Sequence, residues 1–380
     1  MSTKNTYFPI INLIVSVLVL MARDFVHSSL KKSDNTQKRK EFAMPQFIKD
    51  GTVKLTNKVS VLSCGSAVGK MEGEGPLGEC FDYVSKGAEL GEETWEKAES
   101  KFQQYAFDFA LRKGNFLSDD IDFIFAGDLL NQCTGSTYGL RQYDLPFLGL
   151  YGACSTMAES LAVASLFADS GIGEYCAAVT SSHFCSAERQ FRFPINYGGV
   201  RTPTAQWTAT ASGCCIVGKS TEPPFINAVT IGKIVDMGEK DANNMGAAMA
   251  GAAYDSISRH LSNTDKRVSD YDAIFTGDLG QVGSDIRVEL FSKQGVDIST
   301  VHKDCGLMLF DREKQDVHAG GSGCGCSASV LCGYILPRVK SGELKNILFA
   351  ATGALMSTTV SQQGESIPGI SHVVEISHRK

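Results

Sequence analysis

One cysteine stands where a nucleophile would be placed. Cys154 lies in the stretch FLGLYGACSTMAES (147–160), where an apolar extended run gives way to an apolar helical pattern. We expect residues 146–151 to be a buried, extended segment. A helix N-terminus offers unpaired N–H groups and positive potential, which lower the pKa of a nearby thiol. The alternative is a buried free cysteine that packs as a small apolar side chain, and this stretch alone leaves both interpretations open.

The composition narrows the classes of protein that could carry this cysteine. The chain has 380 residues, 21% of them charged, with a net charge of −6, and we expect no nucleic-acid binding. Its 12 cysteines form no C-x-x-C pair, which argues against a zinc ribbon and favours unpaired thiols in a reducing compartment. We expect neither a metal nor a cofactor.

The elements that must position Cys154 occur twice in the chain. DIDFIFAGDL (120–129) returns as DYDAIFTGDL (270–279), with seven of ten positions identical, and each copy follows a helical pattern. Gly152-Ala-Cys-Ser and Gly323-Cys-Gly-Cys each open a helix that is followed by an apolar strand. The position of Cys154 corresponds to Gly325 in the second copy, and this asymmetry favours a specialised site at Cys154. We interpret Asp128 and Asp278 of the repeats as helix caps.

Strands that alternate with helices predict a mainly parallel sheet covered on both faces. Two fused copies predict an α/β protein of five layers, αβαβα, built from duplicated βαβ-rich halves at 45–225 and 226–380. Residues 1–44 form a hydrophobic and polar extension that we expect to lie outside this fold. Its apolar part, Tyr7–Ala22, could be an uncleaved anchor or a signal segment, and we favour translation that begins at Met44.

The motifs resemble those of the thiolase superfamily, which includes thiolases and ketoacyl synthases. The pieces that carry this resemblance are Gly152-Ala-Cys-Ser, Gly321-Ser-Gly-Cys-Gly-Cys-Ser-Ala and Ala351-Thr-Gly-Ala-Leu-Met. Within the superfamily the chain resembles the stage V sporulation protein AD family of endospore formers over residues 45–380. The residues that carry this closer resemblance are GSAVGKMEGEGPLG (65–78), AGDLLNQ (126–132), TSSHFCSAERQFRFPINYGG (180–199), TGDLGQVGS (276–284), HKDCGLM (302–308) and AGGSGCGCSA (319–328).

The resemblance implies a thiolase-like fold whose catalytic set is incomplete. The superfamily carries a histidine just before the Gly-rich helix, and Ser322 stands there in this sequence. Serine is no base at neutral pH, so we expect the chain not to be an enzyme. The alternative is an acyltransferase or condensing enzyme that uses Cys154 with His302, or a Cys154–Cys305 pair.

The family resemblance also implies a ligand, pyridine-2,6-dicarboxylate (dipicolinic acid), taken up into the developing spore. Paired carboxylates on an aromatic ring suit bidentate arginine and an aromatic slot. Arg189 and Arg192 lie among aromatic residues after a predicted strand, and the alternative is an ion pair between Arg189 and Glu188 or another acid. The ligand-binding residues that we predict are Cys154, His183, Arg189, Arg192, Tyr197, Asp304, Cys305 and Ser322.

The same resemblance implies the setting in which the protein works. Superfamily members usually pair through their first halves, so we expect a homodimer. The expected partners are other stage V sporulation membrane proteins. The expected location is the cytoplasmic side of the forespore inner membrane, or its periphery. A third interpretation is a purely structural partner of membrane channel proteins with a vestigial pocket.

Overall fold

The computed structural model describes residues 43–191 and 201–380. The predicted extension with its apolar segment Tyr7–Ala22 lies outside the described residues, apart from its last two positions. Arg192 and Tyr197 also lie outside them. Within the two described ranges, no helix has both the length and the apolar character needed to cross a bilayer.

Fourteen strands occur in the described ranges. They are β1 (Gln46–Lys49), β2 (Thr52–Val68), β3 (Tyr83–Val84), β4 (Phe123–Gly127), β5 (Phe147–Gly149), β6 (Tyr175–Ser182), β7 (Trp207–Thr208), β8 (Ala211–Lys219), β9 (Phe225–Thr230), β10 (Ala273–Thr276), β11 (His302–Asp304), β12 (Gly321–Ser322), β13 (Asn346–Ala354) and β14 (Gly369–Ser377). The main hydrogen-bonded path runs β11-β10-β13-β14-β9-β2-β8-β6-β4-β5. The long strand β2 joins the two halves of this path because it pairs with both β8 and β9.

The two halves of the path have the same topology. Numbered along the chain, the first half (β2, β4, β5, β6, β8) and the second half (β9, β10, β11, β13, β14) both have the spatial order third, second, fourth, fifth, first. In each half the second strand pairs in parallel with the third and the fourth, and the fifth strand is antiparallel to both its neighbours. The predicted duplication is therefore confirmed, whereas the boundary between residues 225 and 226 stays a prediction.

The helices complete five layers. They are α1 (Lys70–Gly73), α2 (Trp95–Gly114), α3 (Thr134–Leu140), α4 (Thr156–Ser170), α5 (Phe184–Phe191), α6 (Met245–Thr264), α7 (Gly280–Lys293), α8 (Cys305–Leu309), α9 (Cys324–Val330), α10 (Leu336–Ser341) and α11 (Thr358–Gln362). Helix α2 packs on β2, β6 and β8, and α6 packs on β13 and β14, so these two helices belong to the outer layers. Helix α4 contacts strands of both halves and packs with α9 in the middle layer. The predicted αβαβα fold is confirmed.

The repeated Ile-Phe pair shows how the sequence builds these layers. Successive side chains of a strand point to opposite faces of the sheet. Ile124 and Ile274 join the two outer apolar clusters, whereas Phe125 and Phe275 join the central cluster that also contains Met157 of α4. All five side chains are essentially inaccessible to solvent. Alternation in one short motif therefore supplies the apolar contacts on both faces of each sheet.

One prediction about the strands is wrong. We expected the residues before Cys154 to be buried, but Phe147 is 38% exposed and Leu148 is 46% exposed. They form β5, which pairs only with β4 and is the last strand of the path. An edge strand of this kind has an unpaired row of backbone groups, which natural proteins usually cover or protect.

Candidate functional site

A narrow cleft opens above Cys154, with about 440 Å³ of empty space when the solvent at its mouth is counted. Its lining is mostly apolar, and consists of Leu129, Ala153, Cys154, Ala187, Glu188, Phe191, Thr208, Met245, Ser322, Ala354 and Met356. Cys154 and Ser322 lie at its base, 5% and 6% exposed. The lining mixes apolar walls with a few polar groups, as small-molecule sites usually do.

The backbone turn that carries Cys154 is tightly constrained. Ala153, Cys154 and Ser155 form one turn of 3-10 helix that leads into α4. Ala153 has φ of 50°, a left-handed conformation that costs a non-glycine residue about 1–3 kcal/mol. The Ser155 hydroxyl donates to the carbonyl oxygen of Gly152 at 2.6 Å, and the Thr156 hydroxyl donates to that of Ala153 at 2.7 Å. These bonds hold the strained turn and fix the position of the thiol.

Asp278 lies beneath Cys154 and organises the base of the cleft. It follows β10 and is completely buried. Its Oδ2 accepts from the Ser322 hydroxyl at 3.2 Å and from the backbone N–H of Gly323 at 2.8 Å, while its Oδ1 accepts from the Thr352 hydroxyl at 2.8 Å. The Cys154 Sγ lies 3.9 Å from the Ser322 Oγ. The base of the cleft is therefore a cysteine, a serine and a carboxyl group in mutual contact.

This arrangement makes the thiol less acidic. Burial, together with the neighbouring negative charge of Asp278, raises the pKa of Cys154 well above its ordinary value. Burial also raises the pKa of Asp278 to about 7. The effect is opposite to the lowered thiol pKa that the helix N-terminus led us to expect, because burial of the thiol, reinforced by the carboxyl group of Asp278, outweighs the helix dipole here. The protonated thiol is the stable form, and the thiol proton moves to Asp278 only at an energetic cost.

Of the residues predicted for the site, the structure brings Cys154 and Ser322 together. His302 lies on β11, where its Nε2 is 3.1 Å from the Thr276 hydroxyl, and burial and the nearby Arg287 lower its pKa to about 3. Asp304 is a structural acceptor, which takes hydrogen bonds from Thr276 and from three backbone N–H groups. Cys305 is buried at the start of α8. In the described part of the chain, none of these three residues lines the cleft or bonds to Cys154.

The remaining predicted residues come from the segment after β6. His183 is buried, with Nε2 3.0 Å from the carbonyl oxygen of Ala88 and Nδ1 accepting from the Cys185 N–H at 3.2 Å. Both ring nitrogens are thus occupied within the protein. Arg189 on α5 forms an ion pair with Glu96, which is the structural alternative that the sequence left open, with a different acid. The predictions for Arg192 and Tyr197 lie outside the described residues.

Sequence reasoning missed Asp278 as part of the site. The repeat identified the residue, but its presence in both halves favoured a capping role. Asp278 does cap the start of α9 through Gly323, and it also faces Cys154. Its counterpart Asp128 instead accepts from the Leu130 and Ser136 N–H groups. Two signals in the sequence could together have revealed this role: the Gly-Asp motif ends a strand in both repeats, and a cysteine occupies the helix start in the first repeat alone.

A duplicated αβαβα fold with a cysteine at the start of a central helix defines a thiolase-like protein. Solved structures bear out the fold. 3-Oxoacyl-[acyl-carrier-protein] synthase III from Aquifex aeolicus VF5 superposes with a TM-score of 0.53 at 12% identity, covering 84% of this chain and 99% of that one. Cerulenin-bound OleA from Xanthomonas campestris superposes with a TM-score of 0.55 at 13% identity, covering 85% and 97%. At such identities the similarity shows the fold alone.

The sequence comparison defines the family more narrowly. Residues 49–377 match the family described as stage V sporulation protein AD. Stage V sporulation protein AD of Bacillus subtilis (strain 168) is 43% identical over 316 residues, which cover 83% of this chain and 93% of that protein. The chain therefore belongs to the stage V sporulation protein AD family.

Proposed function

We propose that this sporulation protein uses its thiolase-like cleft to bind dipicolinic acid for uptake into the developing spore, and that it performs no condensation. The observation that carries this proposal is the base of the cleft. Cys154 is packed against a serine and a buried carboxyl group, and the described lining contains no imidazole. A thiol with a raised pKa and no imidazole beside it is a poor nucleophile but a suitable wall for a ligand.

The cleft offers an apolar surface for the ring of the ligand and two hydroxyl donors for a carboxylate. The side chains of Leu129, Phe191 and Met356 offer an apolar slot for a pyridine ring, and the hydroxyls of Thr208 and Ser322 can donate to a carboxylate. The described lining includes no lysine or arginine. We therefore propose that Arg192, next to the lining residue Phe191 in sequence, supplies the cation for the carboxylates. Arg189 would contribute only by exchanging its partner Glu96.

The alternative function is acyl transfer or condensation on Cys154. The position of the thiol at the start of α4 and the fold shared with synthases favour it. This function requires a group that accepts the thiol proton. Among the described residues, the carboxyl group of Asp278 is the ionisable group beside the thiol. Acyl-thioester labelling followed by peptide mass spectrometry tests this function. A stable acyl adduct on Cys154 would move it ahead of ligand binding.

We further propose that the protein is a homodimer that contacts membrane proteins of the same sporulation stage. The exposed edge strand β5, with Phe147 and Leu148, offers unpaired backbone groups and apolar area to a second copy. The family membership places the protein in sporulation. A position at the cytoplasmic side or the periphery of the forespore inner membrane is part of this proposal.

Calorimetric titration of the purified chain with dipicolinate tests the binding function. We expect saturable binding that persists in Cys154→Ala. Arg192→Ala should weaken binding about tenfold or more, because a hydrogen bond to a charged group contributes about 1.5–3 kcal/mol. Ala187→Trp, which fills the cleft, should abolish binding.

Two controls make this experiment specific. Pyridine-2-carboxylate lacks one of the two carboxylates of dipicolinate and should bind to the wild type more weakly than dipicolinate does. The Arg192→Ala variant should bind the two ligands with equal affinity. Thermal unfolding of each variant separates loss of the site from loss of the fold. Absence of saturable binding in the folded wild type, or full binding in Ala187→Trp, would rule out the proposed site.

A further inference from the structure

A second cavity lies at the opposite end of the strands from Cys154. It is an open depression of about 1270 Å³, counting the solvent at its mouth, and is formed by the end of α6, the end of α7 and the segments 265–269 and 294–301. These segments precede β10 and β11 in the chain, so the cavity lies at the amino ends of those parallel strands. Asp278 and the Cys154 cleft lie at the carboxyl end of β10. The two cavities share no lining residue.

The walls of this second cavity are apolar and partly aromatic. The apolar lining consists of Tyr254, Leu261, Val268, Phe291, Val296 and Val301. The rings of Tyr254 and Phe291 meet edge to face, with their centroids 4.9 Å apart. Phe291 and Leu261 are largely buried and belong to the outer apolar cluster of the second half, which fixes their positions. The depression therefore presents a fixed apolar and aromatic wall against which an aromatic ring can pack.

Two cationic side chains stand at the rim of the cavity. The Lys266 ammonium donates to Glu375 at 2.6 Å, so much of its charge is already balanced. The Arg267 guanidinium has no ion-pair partner within residues 43–191 and 201–380. The one acid of the lining, Asp297, accepts from the N–H and hydroxyl of Ser299 at 2.9 and 2.6 Å. Arg267 is thus the group at this rim that can form a new pair with an anion.

We propose that this cavity binds an aromatic carboxylate, with its ring packed against the edge-to-face pair of Tyr254 and Phe291 and its carboxylate on Arg267. An apolar wall with one unpaired guanidinium at its rim complements a ligand that is apolar at one end and anionic at the other. The site is independent of the Cys154 cleft and of the ligand proposed for that cleft.

The test is a calorimetric titration of the full chain with 1-naphthoate and with its neutral counterpart, 1-naphthamide. We expect saturable binding of one naphthoate per chain and binding of the amide at least about tenfold weaker. Arg267→Ala should weaken naphthoate binding about tenfold to a hundredfold, since the charged hydrogen bond is lost, and should leave amide binding unchanged. Because Arg267 is exposed and has no ion-pair partner in the described ranges, this variant should fold normally.

Two matched variants assign the binding to this cavity. Arg312→Ala removes another exposed arginine, one that donates to Gln281 away from the cavity, and should leave naphthoate binding unchanged. Ala187→Trp fills the Cys154 cleft and should also leave it unchanged. No saturable binding, equal binding of the amide, no effect of Arg267→Ala, or loss of binding in Ala187→Trp would each overturn the proposal.

Discussion

Replacing the carboxyl group beneath the thiol should make Cys154 reactive. Asp278→Asn keeps the size of the side chain and removes its charge. The contacts of Ser322 with both groups place the Cys154 Sγ within about 7 Å of the Asp278 Oδ2. At separations of about 4–7 Å and an effective dielectric constant of about 20, the repulsion between thiolate and carboxylate is roughly 2–4 kcal/mol. The thiol pKa should therefore fall in the variant, although burial of the sulfur, the larger cause of its elevation, remains.

The assay is the rate of alkylation of Cys154 by iodoacetamide between pH 7 and 10, followed by peptide mass spectrometry to resolve it from the other cysteines. Relief of roughly 3 kcal/mol of repulsion raises the thiolate fraction about a hundredfold at a pH below the pKa. Thiolates of lower pKa are weaker nucleophiles, with a Brønsted slope of about 0.4–0.5, so the observed gain should be about tenfold. The pH at which the rate levels off should move down with the pKa.

Asp128→Asn provides the matched control, because Asp128 occupies the corresponding place in the first repeat and bonds to Leu130 and Ser136 instead. We expect this control to leave Cys154 alkylation at the wild-type rate. The variant Asp278→Asn must also unfold cooperatively, so that greater reactivity is not simply loss of structure. A folded Asp278→Asn protein with unchanged or slower alkylation would show that burial alone suppresses the thiol, and our electrostatic reasoning would be refuted.

Three further predictions concern the fold and its assembly. Gly353→Ala would place a Cβ 2.2 Å from the carbonyl oxygen of Gly152. Urea unfolding should therefore show a loss of about 2 kcal/mol or more in the free energy of unfolding, and the displaced Cys154 thiol should be alkylated faster. A neutral effect would contradict this packing. Leu148→Asp should give a monomer in light scattering if β5 forms the dimer contact, whereas Ile172→Asp, also exposed, should leave the oligomeric state unchanged. Burial alone would raise the pKa of Glu375, but the hydrogen bonds and charges of His260 and Lys266 together lower it to about 2. Its stabilising contribution of roughly 3 kcal/mol is therefore present above pH 4.5 and lost as the pH falls towards 2. Glu375→Gln should therefore destabilise the protein at pH 7 in urea unfolding, by an amount that shrinks at low pH; a pH-independent difference would argue against this.

The sequence carried enough information to predict the fold because the signal was repeated. Ile124-Phe125 and Ile274-Phe275 each follow a helical stretch and precede Gly-Asp, and two copies of one βαβ pattern leave few ways to build a sheet. Strand edges were predicted less well. The run around Phe147 is as apolar as a buried strand, and only the spatial order of the strands shows that β5 has one neighbour. Exposure of an edge is a tertiary property that local composition does not encode.

The site was predicted in part, for a similar reason. Cys154 follows from its place at a helix start, which a local pattern defines, whereas Ser322 follows from the superfamily resemblance. The link between them depends on Asp278, which is 124 residues from one and 44 from the other in the chain. His302 and Cys305 were predicted from their chemical types. In the folded chain His302 lies on β11 and bonds to Thr276 of β10, and Cys305 is packed at the start of α8. Only the folded chain reveals these contacts.

The two Gly-Asp motifs show how a duplicated fold can acquire one functional site. Each motif ends a parallel strand and delivers a buried carboxyl group to the carboxyl edge of its sheet. In the first half that group bonds to backbone N–H groups and a hydroxyl of its own half, so its role is structural. In the second half it reaches Ser322 and faces Cys154, a residue of the other half. A carboxyl group in this position raises the pKa of the thiol while it also holds the start of α9 through Gly323, so one repeated motif serves structure in one half and the electrostatics of the cleft in the other.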